Sequence, residues 1–95
     1  MEYEWDEAKR LANLKKHGID FADIYEFDWA ASVERIDESE DYCEERILAL
    51  GPFRGHIYSV AYTKRRGKTR IISFRKATRK EIARYEKEKD RFSGL

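Results

Sequence analysis

Arg70-Ile71-Ile72-Ser73-Phe74-Arg75-Lys76-Ala77-Thr78 decides how this 95-residue chain is read. Ile72 and Phe74 alternate with Ser73 and Arg75, which predicts a strand with one apolar face and one face presenting hydroxyl and guanidinium groups. Ile71 is apolar too, so the alternation is imperfect. Thr78 has Glu81 three residues later, a capping-box pattern that opens a helix. A strand end that brings Arg75 and Lys76 to the free N–H groups of a helix start suits a phosphate, and so a nucleic acid.

Working outward, the final helix is expected from about Arg79 to Arg91, with Ile82, Tyr85 and the stem of Lys89 inward. Before the strand, Arg65-Arg66-Gly67 makes a turn. Glu45–Leu50 and His56–Tyr62 read as two strands, split by a five-residue hairpin loop, Gly51-Pro52-Phe53-Arg54-Gly55. Ser32–Asp37 is a weaker strand, and Glu38–Glu44 an acidic loop.

At the start, Glu2–Trp5 fits a short strand and Asp6 a helix N-cap. Ala8, Leu11, Ala12 and the stem of Lys15 follow a helical stripe that ends at Gly18. Asp20 caps a second helix with Phe21, Ile24 and Tyr25 on one stripe. The order β-α-α-β-β-β-β-α predicts an α+β domain: an antiparallel β-sheet meander with helices packed on one face and the other face open. Residues 1–95 have room for one domain and one core, burying about 60–65% of the unfolded surface.

The net charge of +1 conceals a polarity. Residues 1–50 carry 6 Lys/Arg against 15 Asp/Glu, whereas residues 51–95 carry 14 against 4. A basic working face on an acidic remainder follows, although opposite halves can also simply neutralise each other. Aromatic content of 14% argues for a packed core rather than disorder. The single Cys43 cannot form an internal disulfide, which fits a reducing, cytoplasmic setting. No signal peptide or membrane span is expected.

His17 is a candidate base or acid near neutral pH, and Lys16 a candidate phosphate ligand. Both also suit the negative end of a helix dipole. His56 reads as a surface residue. His17, His56 and Cys43 lack zinc spacing, the acidic loop fails the EF-hand pattern, and no cofactor is expected. Ser73 has no base partner in the sequence, and Tyr85 is either a core residue or an active-site hydroxyl. Arg65, Arg66, Lys68, Arg70, Arg75, Lys76, Arg79 and Lys80 form a dense cationic set. Tyr58, Tyr62 and Phe74 lie among them, as base-stacking groups or as core. Metal-free RNA cleavage needs a base, a cation for the crowded phosphorane and an acid for the leaving oxygen. Lys16, His17, Arg70, Arg75, Lys76 and Tyr85 are the right residue types for a catalytic set.

Trp5-Asp6, Lys9, Asn13, Lys16-His17-Gly18-Ile19 and Phe21 resemble the N-terminal signature of the BrnT toxin family. Glu45-Arg46, Gly51, Arg70-Ile71-Ile72-Ser73, Arg75-Lys76-Ala77-Thr78, Glu81 and Tyr85 resemble its second half, in order, with Phe74 where the family usually has a small residue. The resemblance implies a RelE-like fold and a type II toxin–antitoxin component, a metal-independent endoribonuclease that cuts mRNA, free or on the ribosome, and blocks translation. It implies a BrnA-type ribbon-helix-helix antitoxin as partner, in a complex that binds operator DNA. An acidic or amphipathic antitoxin segment over Arg70–Lys80 would cover the basic half. The alternatives are a non-catalytic module that binds nucleic acid or antitoxin, and a structural subunit whose basic face docks an acidic partner.

Overall fold

A computed structural model describes residues 2–37 and 45–93. The expected acidic loop and Cys43 lie outside those residues. Five strands, β1 (Tyr3–Trp5), β2 (Val33–Ile36), β3 (Ile47–Phe53), β4 (His56–Arg65) and β5 (Lys68–Lys76), form one sheet in the order β1-β5-β4-β3-β2. Two helices, α1 (Glu7–His17) and α2 (Arg79–Ser93), complete an α+β fold.

The meander holds for β2 to β5, which pair antiparallel in succession. The first strand departs from it, because β1 pairs parallel with β5 and makes the sheet mixed. Two turns set the hairpin register. Arg54 and Gly55 both adopt positive φ (48° and 83°), as do Arg66 and Gly67 (54° and 80°), the signature of two-residue turns that match strand twist. The expected five-residue loop is therefore only Arg54-Gly55, and β3 continues through Gly51, Pro52 and Phe53. Pro52 is tolerated there because β2 ends its pairing at Leu50, so the missing N–H faces no strand.

The expected second helix is a short 3₁₀ segment, Phe21–Glu26, and another, Trp29–Ala31, follows it. Three residues per turn align Phe21, Ile24 and Phe27, and all three are buried. Tyr25, placed inward by a 3.6-residue period, instead stands 70% exposed. The buried trio packs with Ala49, Phe53, Val60, Tyr62, Ile71 and Phe74 to form the main core on one face of the sheet. Gly51 belongs to that face: a Cβ there would come within 2.8 Å of the Phe27 ring.

Helix α2 takes the other face. Register puts Leu50, Ser59 and Arg75 in one row across β3, β4 and β5, opposite the core residues Ala49, Val60 and Phe74. Glu81 of α2 meets Arg75 in that row, and α2 packs on β3 and β2. Helical structure thus lies on both faces. The expectation of helices on one face only does not hold.

Candidate active site

Helix α1 begins at Asp6, whose side chain accepts from the Lys9 N–H at 3.1 Å. It ends at Gly18, whose φ of 70° stops the helix immediately after His17. The expected apolar stripe is not its seam: Leu11 is 52% exposed, and Asn13 is the buried residue of the helix. The reason lies in what α1 packs against. Strand β1 pairs with β5 only as far as Ile71, so the β5 edge beyond offers backbone groups that need polar partners. Asn13 supplies them. Its Nδ2 donates to the Phe74 carbonyl at 2.8 Å and to the Ile19 carbonyl at 3.2 Å, and its Oδ1 accepts from the Phe74 N–H at 3.2 Å. One turn earlier, Arg10 donates to Asp20 at 2.9 Å and also binds Glu7. Asn13 therefore holds the helix to the strand, and Arg10 holds it to the segment that follows.

Strand β5 carries the second half of the site through a bulge. Ala61 pairs with Ser73 and Tyr62 with Ile71, which leaves Ile72 as an extra residue. The imperfect alternation in the sequence has this cause. Ile71 and Phe74 are the buried pair, and Ile72 is only half-buried, so the apolar face differs from the expected one. The extra residue puts Ile71 on the same face as Phe74, while Ser73 and Arg75 lie on the opposite face by ordinary alternation.

Arg75 is held rigidly on that face. Its Nη1 and Nη2 donate to the two Glu81 carboxylate oxygens at 2.8 and 3.0 Å, and Nη1 also donates to the Lys76 carbonyl at 3.0 Å. Glu81 in turn closes the capping box, accepting from the Thr78 N–H at 2.8 Å while its own N–H donates to Thr78 Oγ1 at 3.2 Å. Burial alone would push the Glu81 carboxyl up, but the hydrogen bonds from Arg75 and Thr78 outweigh it and hold the group below the usual carboxylate range. Of the five guanidinium donors, three are used, and Nε–H and one Nη2–H have no partner among the described residues.

A groove of about 250 Å³ runs between α1 and β5, lined by Lys9, Ala12, Asn13, Lys16, His17, Ile72 and Ser73. His17 stands at its end. Desolvation, then the charges of Lys16 and Arg75, lower the imidazole pKa from its ordinary 6.5, so the ring is neutral at neutral pH and free to accept a proton. Lys16 and His17 line the groove together, and the charge of Arg75, which is not part of the lining, acts on the His17 ring from β5.

The other sequence candidates lie elsewhere. Arg70 donates to Glu4 of β1 at 3.0 Å, at the far end of β5 from Arg75. Lys76 is exposed and pairs in register with Tyr58, on the face opposite Arg75. The Tyr85 hydroxyl donates to the Ala31 carbonyl at 2.9 Å and ties α2 to the turn before β2. Phe74 and Tyr62 are buried in the core, and Tyr58 packs edge-on against Phe53 and Phe74, so these rings are no stacking platform for bases. His56 is exposed at the start of β4. Lys9 and Ser73 also line the groove, a role that sequence reasoning missed for both. The helical i, i+7 relation of Lys9 to Lys16 is the signal that could have found Lys9.

Compared with known protein families, residues 5–81 match the family described as the ribonuclease toxin BrnT of type II toxin–antitoxin systems. No curated protein matches the chain.

Proposed function

The chain belongs to the BrnT family of type II toxin–antitoxin ribonuclease toxins, and on that premise we propose that it cleaves RNA without a metal ion in the α1–β5 groove. The observation that supports this reading is the placement of Lys16 and a neutral His17 in one groove against β5, the strand that carries the carboxylate-braced Arg75. His17 takes the proton of a ribose 2′-hydroxyl. The 2′-oxygen then attacks the adjacent phosphorus, and the P–O5′ bond breaks. Arg75, fixed in advance by Glu81, stabilises the added negative charge on the nonbridging oxygens. Lys16 protonates the departing 5′-oxygen. The products are a 2′,3′-cyclic phosphate and a 5′-hydroxyl; His17 then releases its proton to solvent and Lys16 takes one up, which restores both groups.

In this reading Arg70 and Tyr85 support the fold, and Lys76 adds to the general positive field around the end of β5. The family implies an antitoxin as partner. We assign to it a ribbon-helix-helix type that also binds operator DNA, and an acidic segment that covers the basic stretch from Arg70 to Lys80 and blocks RNA. Translation in the cytoplasm is the process the toxin interrupts.

Incubation of the purified protein with total RNA in excess EDTA tests the proposal, with wild type beside Arg75→Gln. Cleavage by wild type that the variant loses supports it. RNA left intact by a folded wild type, both in solution and in a translating extract, contradicts it.

A further inference from the structure

Lys9 and Lys16 sit seven residues apart on α1 and line the same groove. Helical rise separates them by about 10 Å along the axis, more than one phosphate group spans. Neither ammonium has an ion pair among the described residues, whereas Arg10, Arg54, Lys68, Arg70 and Arg75 each face a carboxylate. Asn13, between the two lysines, locks the helix to the Phe74 backbone, so the distance from helix to strand is fixed. The groove wall opposite them is bulged Ile72 and Ser73, with no acidic side chain in the lining.

From this placement we infer that the groove is a subsite for single-stranded RNA that binds two different backbone phosphates, one at Lys16 beside His17 and one at Lys9. The inference rests on the ribonuclease reading and extends it. Lys9 holds a nucleotide away from the scissile bond and fixes the direction in which the strand enters. Single-stranded rather than duplex RNA follows from the shape, because a groove closed on one side by a helix and on the other by a strand edge admits one backbone.

Counterion release counts the phosphates that a protein neutralises, with a slope of about −0.7 per phosphate in a plot of log affinity against log salt for single strands. The test uses a fluorescent 2′-O-methyl hexanucleotide, which lacks the attacking hydroxyl and so reports binding alone. Affinity is measured from low to moderate salt for wild type, Lys9→Gln, Lys16→Gln, the double variant and Lys15→Gln. Lys15 is on the same helix but outside the groove and serves as the control for loss of one charge.

Lys9→Gln and Lys16→Gln should each make the slope shallower by about 0.7, and the double variant by about twice that. Lys15→Gln should keep the wild-type slope. If Lys9→Gln keeps the wild-type slope, or if Lys15→Gln changes it equally, the subsite is overturned while the ribonuclease reading stands. If the wild type binds no hexanucleotide at all, the RNA reading beneath it fails as well.

Discussion

Asn13 and Phe74, 61 residues apart, are joined by two hydrogen bonds, the side-chain amide of one pairing with the backbone N–H and carbonyl of the other. In effect Asn13 is one residue of an extra strand, continuing at the β5 edge what β1 leaves off at Ile71. The site depends on this bond pair, since it sets α1 and its Lys16 and His17 against the strand that carries Arg75.

Asn13→Ala leaves the Phe74 N–H and the Phe74 and Ile19 carbonyls without their partner. Unsatisfied groups of this kind cost about 1–3 kcal/mol each when buried, and with partial rehydration at the sheet edge the expected loss is about 3 kcal/mol. Asn13→Asp should be at least as damaging, because a carboxylate would face two carbonyl oxygens. Chemical denaturation of both variants measures the loss.

Glu81 serves two masters, the helix cap and Arg75. Glu81→Ala should destabilise the fold by about 1–3 kcal/mol, the range for losing a cap and a charge-assisted hydrogen bond. The sign of the pH dependence follows from a folded-state pKa held below the ordinary 4.5. The stabilisation is complete above that value and is lost as the pH falls through the lower, folded-state pKa. The stability gap between wild type and Glu81→Gln, followed by denaturation at successive pH values, should therefore narrow in acid.

His17 must be neutral to accept a proton. The rate of RNA cleavage should fall with decreasing pH, with a midpoint below the ordinary imidazole value of 6.5. Desolvation, Lys16 and Arg75 each lower that midpoint, so Lys16→Gln should raise it. Titration of the His17 ring protons by NMR gives the same midpoint independently of turnover.

Gly51 sits where Phe27 and Ser32 cross β3, with a would-be Cβ at 2.8 Å from the Phe27 ring and 3.0 Å from the Ser32 side chain. The ring is confined in the core and cannot yield freely. Gly51→Ala should cost about 1–3 kcal/mol, the usual range for overpacking. A thermal melt of the variant reads this directly.

Features whose partners are close in sequence are legible from local spacing alone. Asp6 and Lys9 form one cap, Thr78 and Glu81 another, and Gly18 ends its helix as its position suggests. The α2 seam through Ile82 and Tyr85 is equally plain, since that helix buries an apolar stripe against a sheet face. Helix α1 misleads for the opposite reason. It docks on a strand edge, where backbone groups select Asn13, the Asp20 carboxylate holds Arg10, and Leu11 is left outside. The parallel pairing of Trp5 with Ile71 depends on a contact across 66 residues that no local pattern encodes. Of the candidate site, Lys16 and His17 share one groove against β5, while Arg70 and Tyr85 are bound into other contacts. Their residue types qualify them, but only the register of β5 and the packing of α2 decide where they lie. Ile71-Ile72 held a local trace of the bulge in its broken alternation, yet the direction of the slip requires the partner strand.

The most direct measurement is the chemistry of the RNA ends. Wild type and His17→Ala are incubated with a defined RNA in EDTA, and the termini of the fragments are identified. Cleavage through the 2′-hydroxyl with His17 as base predicts 2′,3′-cyclic phosphate and 5′-hydroxyl ends from wild type, and strongly reduced cleavage by a folded His17→Ala. Fragments ending in 3′-hydroxyl and 5′-phosphate, or undiminished cleavage by His17→Ala, would contradict it.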